Sequence, residues 1–260
     1  MNTSASSSPF YSAEHAAFRD AMRRFVREQE SWLPDYALFM ALKEAHGGAS
    51  WTAWERGAAD REPEALRAWR EKLRPAIVRC YKEQYVFAGQ LRALRTACAA
   101  QHIQLMGDVP IFVAHDSADV WANRSLFKLN SDGTLIAQAG VPPDYFSETG
   151  QLWGNPLYDW DAMARDGYRW WIDRMRASLA MYDVVRLDHF RGFEAFWEVP
   201  AADTTAVHGR WVQGPGAALF TALTAALGPM PIVAENLGLI TPEVEALRLQ
   251  FGYPGMAILQ

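Results

Sequence analysis

The first part of the chain, residues 13–101, places its apolar side chains at helical spacing. The stretch DYALFMALKEAHGG (35–48) is apolar on nearly every side and ends at a Gly-Gly pair, so it predicts a buried helix. A longer helical pattern covers residues 63–100, and Pro75 predicts a break or kink within it. We therefore expect residues 13–101 to form a mainly helical segment.

From residue 102 onward, short apolar runs alternate with amphipathic helical stretches. The runs that predict strands are IQLMGDVPIFV (103–113), DVVRLDHF (183–190), PIVAENLG (231–238) and, at the end, GMAILQ (255–260). Alternating strands and helices predict a parallel sheet of the α/β class. About four such strands are half the number in a (β/α)₈ barrel. We therefore expect a partial TIM (β/α)₈ barrel over 102–260, with the chain cut from a longer barrel protein at both ends.

Charged residues lie at the end of the second of these strands, where a barrel carries its active site. Arg186 and Asp188 are two positions apart, so on a strand they face the same way. A guanidinium beside a carboxylate favours the ionised state, which a carboxylate nucleophile needs. From these residues alone, a structural ion pair is an equally good interpretation.

Glu235 lies at the end of the next predicted strand, 47 positions after Asp188. Its apolar neighbours Val233, Ala234 and Leu237 would raise its pKa, as a general acid requires. Two carboxylates with opposite surroundings form the minimal pair of a glycosidase, and a retaining mechanism holds them roughly 5–5.5 Å apart. Asp108, within the first of the predicted strands, either lines the same barrel mouth or caps a turn.

The segment GVPPDYFSETGQLWGNPLYDW (140–160) is rich in Pro, Gly, rings and polar groups, which predicts a long lid or binding loop. Its rings and polar groups could stack on a sugar chain and bond to it; the alternative is a rigid surface loop. The candidate substrate-binding residues of this loop are Asp144, Tyr145, Phe146, Trp153 and Asn155.

Composition and charge exclude several other classes. The 25 basic and 30 acidic residues leave a formal charge of −5, which argues against nucleic acid or an anionic membrane as the main partner. No apolar run reaches the roughly 18 residues of a membrane span. Cys80 and Cys98 lack a CxxC pattern and indicate reduced thiols of a cytoplasmic protein. Residues 1–12 predict a disordered tail rather than a signal peptide.

Other chemistry-bearing residues give weak signals. The run His115-Asp116-Ser117 contains triad residue types, but neighbours in sequence rarely converge as a triad does. The remaining histidines show no metal spacing, and no Gly-rich nucleotide motif is present, so we expect neither a metal nor a cofactor. The histidines without a partner at metal spacing are His15, His46, His102 and His208.

Four long motifs resemble those of the 4-α-glucanotransferases, also called amylomaltases or disproportionating enzymes, which form glycoside hydrolase family 77. They are GDVPIFVAHDSADVWAN, GVPPDYFSETGQLWGNPLYDW, VVRLDHFRGFEAFWEVPA and VAENLGLITPEVEALR. The similarity runs from about residue 31 to the end of the chain. It implies a TIM barrel enzyme that moves α-1,4-glucan segments between maltooligosaccharides derived from starch or glycogen.

The resemblance also implies roles for individual residues. Asp188 matches the nucleophile that forms a glucosyl-enzyme intermediate, and Glu235 matches the acid/base. Arg186 and His189 match positions that orient the nucleophile and bind the reacting sugar. Asp144 and Trp153 match a loop over the acceptor side. One position departs from the pattern, because Asn236 stands where the family commonly has Asp.

Two further expectations follow from the resemblance. The family's third carboxylate, in an HDN motif on a later strand, has no counterpart here, so we expect no turnover from the 260-residue chain alone. Two alternatives to the transferase stay open: an α-glucan hydrolase that uses the same residues with water, and a non-catalytic glucan-binding fragment.

Overall fold

The computed structural model describes residues 13–145 and 147–257. The expected tail at 1–12 and the last residues of the run 255–260 therefore lie outside the described part. The chain divides into two compact units. The first unit includes residues 13–49 and 55–91, and the second includes residues 50–54 and 92–257. Each unit is described by itself.

Helices account for most of residues 13–101, as the apolar periodicity predicts. They are α1 (Ala13–Glu28), α2 (Leu33–Ala45), α3 (Arg56–Ala59), α4 (Pro63–Lys72) and α5 (Arg74–Ala100). The predicted break near Pro75 is present, because α4 ends at Lys72 and α5 starts with Pro75 in its first turn. On α2, Leu33, Leu38 and Leu42 are fully buried.

The second unit combines strands and helices. Its strands within the described residues are β1 (Met106–Val109), β2 (Ala137–Val141), β3 (Gln151–Pro156), β4 (Val184–Leu187), β5 (Ala195–Pro200), β6 (Arg210–Gln213) and β7 (Ile232–Ala234). Its further helices are α6 (Ala118–Ala122), α7 (Trp160–Arg165), α8 (Arg169–Met181), α9 (Gly216–Leu227) and α10 (Pro242–Gln250).

Three strands form a parallel sheet in the order β1-β4-β7. Asp108 is in register with Arg186, and Leu187 is in register with Ala234, so these strands end at one edge of the sheet. Val185 and Leu187 of β4 are fully buried, as expected for a central barrel strand. Of the fourth predicted run, residues 255–257 are not in a strand and 258–260 lie outside the described residues.

A four-stranded antiparallel sheet, in the order β3-β2-β5-β6, replaces the long loop expected at 140–160. The expectation of one continuous loop was wrong: β2 and β3 are paired strands of a hairpin, residues 142–150 connect them, and residues 157–159 link β3 to α7. Prolines and glycines gave the loop-like composition, but here they serve the turn and close backbone packing. A side chain at Gly140 would lie 2.3 Å from the carbonyl oxygen of Gln151.

Aromatic rings make up much of the core of the second unit. Trp171, Tyr158, Phe193 and Phe220 are fully buried or nearly so. The Phe193 ring meets the Trp171 ring edge-on at 5.3 Å and the Phe220 ring at 5.2 Å. These rings join α8 and α9 to the segment that follows β4. Within the described ranges, none of the helices has the length and apolar character needed to cross a membrane.

Candidate active site

Four charged side chains meet at the carboxyl ends of the parallel strands. Asp108 is on β1, Arg186 is on β4, and Asp188 and Glu235 directly follow β4 and β7. The backbone extends the pairing by one residue: the Asp188 N–H donates to Val109 O at 3.0 Å and the Glu235 N–H donates to Leu187 O at 2.9 Å. Asp188 and Glu235 therefore follow adjacent strands at the same level of the sheet.

Arg186 joins two of these carboxylates. Its Nη1 donates to Asp108 Oδ1 at 2.7 Å, and its Nη2 donates to Asp188 Oδ1 at 2.6 Å. Burial lowers the pKa of Arg186, but the bond to Asp108 and the charges of Asp188, Asp108 and Glu235 outweigh that effect, so its pKa is raised. Asp108 thus faces the site through Arg186, which favours the first of the two interpretations left open for it.

Glu235 is buried, with 8% of its surface exposed. Its Oε2 accepts a hydrogen bond from the His189 N–H at 2.9 Å, and its Oε1 accepts one from the Leu237 N–H at 2.8 Å. The apolar neighbours in the sequence therefore give an incomplete picture of its surroundings. Each carboxyl oxygen is fixed by the backbone, so the side chain has one defined orientation beside the segment that carries Asp188.

His189 adopts a left-handed backbone conformation, with φ 51°, directly after Asp188. This turn allows its N–H to reach Glu235, so it couples the two strands that carry the carboxylates. Burial, followed by the nearby positive charge of Arg191, lowers the pKa of His189 from 6.5 to about 4. The imidazole is therefore neutral near pH 7, and within the described residues its buried Nε2 has no hydrogen-bond partner.

Trp153, on the second strand of the hairpin β2-β3, connects that hairpin to the site. The ring of Trp153 meets the ring of His189 edge-on at 4.9 Å. The amide of Asn155 donates to Val113 O at 2.9 Å, so it anchors the hairpin to the segment after β1. Phe146 lies outside the described residues.

The two remaining hairpin candidates lie in the turn. Asp144 accepts a hydrogen bond from the Ser147 N–H at 2.8 Å, which is a local turn contact. Tyr145 is 99% exposed. The structure thus places both residues at the tip of the hairpin, where the ring of Tyr145 faces solvent.

Some residues at the site carry no signal that sequence reasoning could use. Met256 places its Sδ 3.3 Å from Arg186 Nε, although a lone methionine near an apolar run predicts only packing. The sequence also gives no indication of the two backbone N–H groups that donate to Glu235. Among the described residues, no three His, Cys, Asp or Glu side chains form a group that could hold a metal ion.

Comparison with known proteins gives one consistent result. The family model described as 4-alpha-glucanotransferase matches residues 4–260. The 4-alpha-glucanotransferase of Synechocystis is 51% identical over 94% of this chain and 48% of its own length. That of Thermus thermophilus is 51% identical over 93% of this chain and 48% of its own length. The chain thus spans about half the length of these curated relatives.

A solved structure gives the same match in three dimensions. The amylomaltase of Streptococcus agalactiae, in complex with acarbose, superposes with a TM-score of 0.89 at 41% identity. The superposition covers 95% of this chain and 49% of the amylomaltase. The partial barrel predicted from alternating strands and helices is therefore confirmed as a fold. Because the family model covers nearly the whole sequence, the chain belongs to the 4-alpha-glucanotransferase family.

Proposed function

We propose that the complete protein transfers α-1,4-glucan segments from one maltooligosaccharide to another with retention at the anomeric carbon. The observation that carries this proposal is the pair Asp188 and Glu235, which follow the adjacent parallel strands β4 and β7. One carboxylate is held by a guanidinium and the other by two backbone N–H groups. Two carboxylates with different partners on neighbouring strands suit a double displacement.

In the first half of the reaction, an Asp188 oxygen attacks the anomeric carbon of the donor. The bond between that carbon and the glycosidic oxygen breaks, and the oxygen takes the proton of the Glu235 carboxyl group. The leaving segment departs with a free 4-hydroxyl. The glucan on the other side of the broken bond is then esterified to Asp188, and Glu235 is a carboxylate.

In the second half, the 4-hydroxyl of an acceptor glucan attacks the same carbon. Its proton passes to Glu235, the ester bond breaks, and Asp188 leaves as a carboxylate. The two inversions together retain the α configuration and restore both groups to their starting states. Water in place of the acceptor would give hydrolysis by the same residues.

The other candidate residues support this chemistry from their positions. Arg186 donates to Asp188 at 2.6 Å, which fixes the orientation of the carboxyl group that would attack the sugar. The ring of His189, which meets the Trp153 ring edge-on at 4.9 Å, is our candidate for binding the reacting sugar. Asp108 acts on the substrate through its hydrogen bond with Arg186 rather than by direct contact. We assign substrate contacts to Asp144 and Tyr145 at the hairpin tip and a scaffolding role to Asn155. The assignment of Phe146 as a substrate-binding residue stays a prediction from the sequence.

Incubation of the complete gene product that contains this chain with maltotriose tests the proposal. Transfer predicts glucose together with maltopentaose and longer oligomers, resolved by chromatography. Products limited to glucose and maltose would contradict transfer and favour an α-glucan hydrolase. Asp188→Asn should abolish either activity. The matched control is Arg95→Lys, in an Arg95–Asp183 pair at the opposite end of β4, which should retain turnover.

We further propose that the protein acts in the cytoplasm, since maltooligosaccharides from starch or glycogen are its proposed substrates. Support comes from Cys80 and Cys98, which are both free thiols in the structure. Immunodetection in fractionated cells tests this assignment, and recovery from an oxidising, extracytoplasmic fraction would contradict it.

A further inference from the structure

Asn236, the residue after Glu235, links three separate parts of the second unit. Its Oδ1 accepts a hydrogen bond from the Met256 N–H at 2.8 Å. Its Nδ2 donates to Glu245 Oε1 on α10 at 2.8 Å. One side chain therefore connects the end of β7, the helix α10 and the segment that follows α10.

Met256 in turn contacts the cation of the site. The guanidinium of Arg186 has three nitrogens, and two of them, Nη1 and Nη2, donate to Asp108 and Asp188. The third nitrogen, Nε, lies 3.3 Å from the sulfur of Met256. The orientation of the guanidinium is thus bounded by two carboxylates and one thioether, and the thioether belongs to the segment that Asn236 holds.

The segment before Met256 packs closely on β7. Pro254 O accepts the Ala234 N–H at 2.9 Å. A side chain at Gly255 would lie 2.7 Å from the amide atoms of Asn236, so the glycine permits this approach. The position of Met256 therefore depends on contacts with β7 and with the side chain of Asn236.

Glu245 is a firm anchor for the amide of Asn236. Arg248, one turn later on α10, donates from Nε to Glu245 Oε2 at 3.1 Å, and its Nη1 donates to Tyr253 O at 2.6 Å. The bonds from Arg248 and Asn236 outweigh burial and lower the pKa of Glu245. Glu245 is therefore ionised near pH 7, and Asn236 donates to one of its two oxygens.

We propose that Asn236 is a positioning residue that holds Met256 against the Nε edge of Arg186 and so fixes the guanidinium that faces Asp188. This role rests on the proposed transferase function. Asn236 suits it because an amide both accepts from the Met256 N–H and donates to the Glu245 carboxylate. An Asp side chain could accept from Met256 but would place a second carboxylate against Glu245.

The first test separates the two hydrogen bonds in the complete gene product. Asn236→Asp loses the donor to Glu245 and should lower kcat about tenfold, with KM changed less than about twofold, because the effect falls on the reacting groups. Adding Glu245→Gln supplies a donor that faces the new carboxylate at position 236 and should restore kcat to within about threefold of the parent. A merely structural role predicts loss of thermal stability without this rescue of kcat.

The second test asks whether the effect passes through Met256. Met256→Leu keeps the bulk and removes the sulfur, so it should lower kcat severalfold alone. Asn236→Asp in that background should then cost less than in the parent, since both changes act on one path. Hydrogen exchange gives a readout without substrate: Asn236→Ala, which removes the acceptor, and Asn236→Asp, whose carboxylate is repelled by Glu245, should both speed exchange of the Met256 amide.

The outcomes distinguish the two proposals. A parent protein without turnover on maltotriose contradicts the proposed function. A parent that turns over while Asn236→Asp matches its kcat overturns the positioning role alone. Strict additivity of the Asn236→Asp and Met256→Leu losses also overturns it, because independent effects would not pass through the same contact.

Discussion

Replacing Arg186 with lysine keeps the positive charge but removes the planar fork that faces two carboxylates. In the structure, Arg186 Nη1 and Nη2 lie 2.7 Å from Asp108 and 2.6 Å from Asp188. An ammonium group on a flexible stem cannot keep both geometries, so at least one charge-assisted bond is lost. Such a bond contributes about 1.5–3 kcal/mol.

The exposure of the partners sets the expected size within that range. The side chains of Asp108 and Asp188 are 58% and 39% exposed, so solvent weakens their attraction to Arg186. We therefore expect a loss of about 2 kcal/mol in transition-state stabilisation. Since about 1.4 kcal/mol is a factor of ten, kcat/KM of Arg186→Lys should fall about thirtyfold.

The assay measures initial rates of glucose release from maltotriose by the complete gene product, with both kcat and KM determined. Arg95→Lys serves as the matched control, because Arg95 also bridges an Asp at 2.7 Å but lies at the other end of β4. Parent-like kcat/KM in Arg186→Lys would refute the reasoning, since it would show that the two-carboxylate geometry does not support the reaction. An equal loss in Arg95→Lys would show that the effect is general destabilisation.

Three further predictions concern stability, measured by chemical or thermal unfolding. Burial lowers the pKa of His189 from 6.5 in the unfolded chain to about 4 in the folded protein. The free energy of unfolding should therefore fall by roughly 3 kcal/mol as the pH drops from about 6.5 to about 4, and His189→Gln should make it less dependent on pH in this range. Lys128→Ala removes one of the two cations that the structure places against the buried Glu198 and should lower the free energy of unfolding by about 2–3 kcal/mol. Glu198→Gln should restore part of that loss, and unchanged stability in Lys128→Ala would contradict this reasoning. Gly107→Ala puts a methyl group 2.1 Å from the ring of Tyr182 and should lower the free energy of unfolding by about 2 kcal/mol. Unchanged stability would show that this ring moves freely.

The parallel strands of the barrel could be predicted from the sequence because local patterns determine them. Buried strands such as β4 are visible as short apolar runs, and the helices between them show helical periodicity of apolar residues and capping residues at their ends. Charged residues at the ends of two such runs then indicated a shared edge. The assignment of Asp188 and Glu235 to adjacent strands needed only this rule.

The antiparallel sheet could not be predicted in the same way. Residues 140–160 contain three glycines or prolines among their first four positions and three more later, which is typical of a loop. Pairing between β2 and β5 joins residues about sixty positions apart, and composition does not encode such a partner. The roles of Met256 and of the backbone N–H groups at Glu235 likewise arise only from tertiary contacts.

The most direct test of the central claim is chemical trapping of the glucosyl ester. In the Glu235→Gln variant of the complete gene product, α-maltosyl fluoride can glycosylate the nucleophile, because fluoride leaves without a proton, while the second step lacks its base. Mass spectrometry of the digested protein should find one maltosyl group on the peptide that contains Asp188, and none when Asp188→Asn is added. An adduct on another residue, or no adduct while the fluoride is consumed, would contradict the assignment of Asp188 as nucleophile.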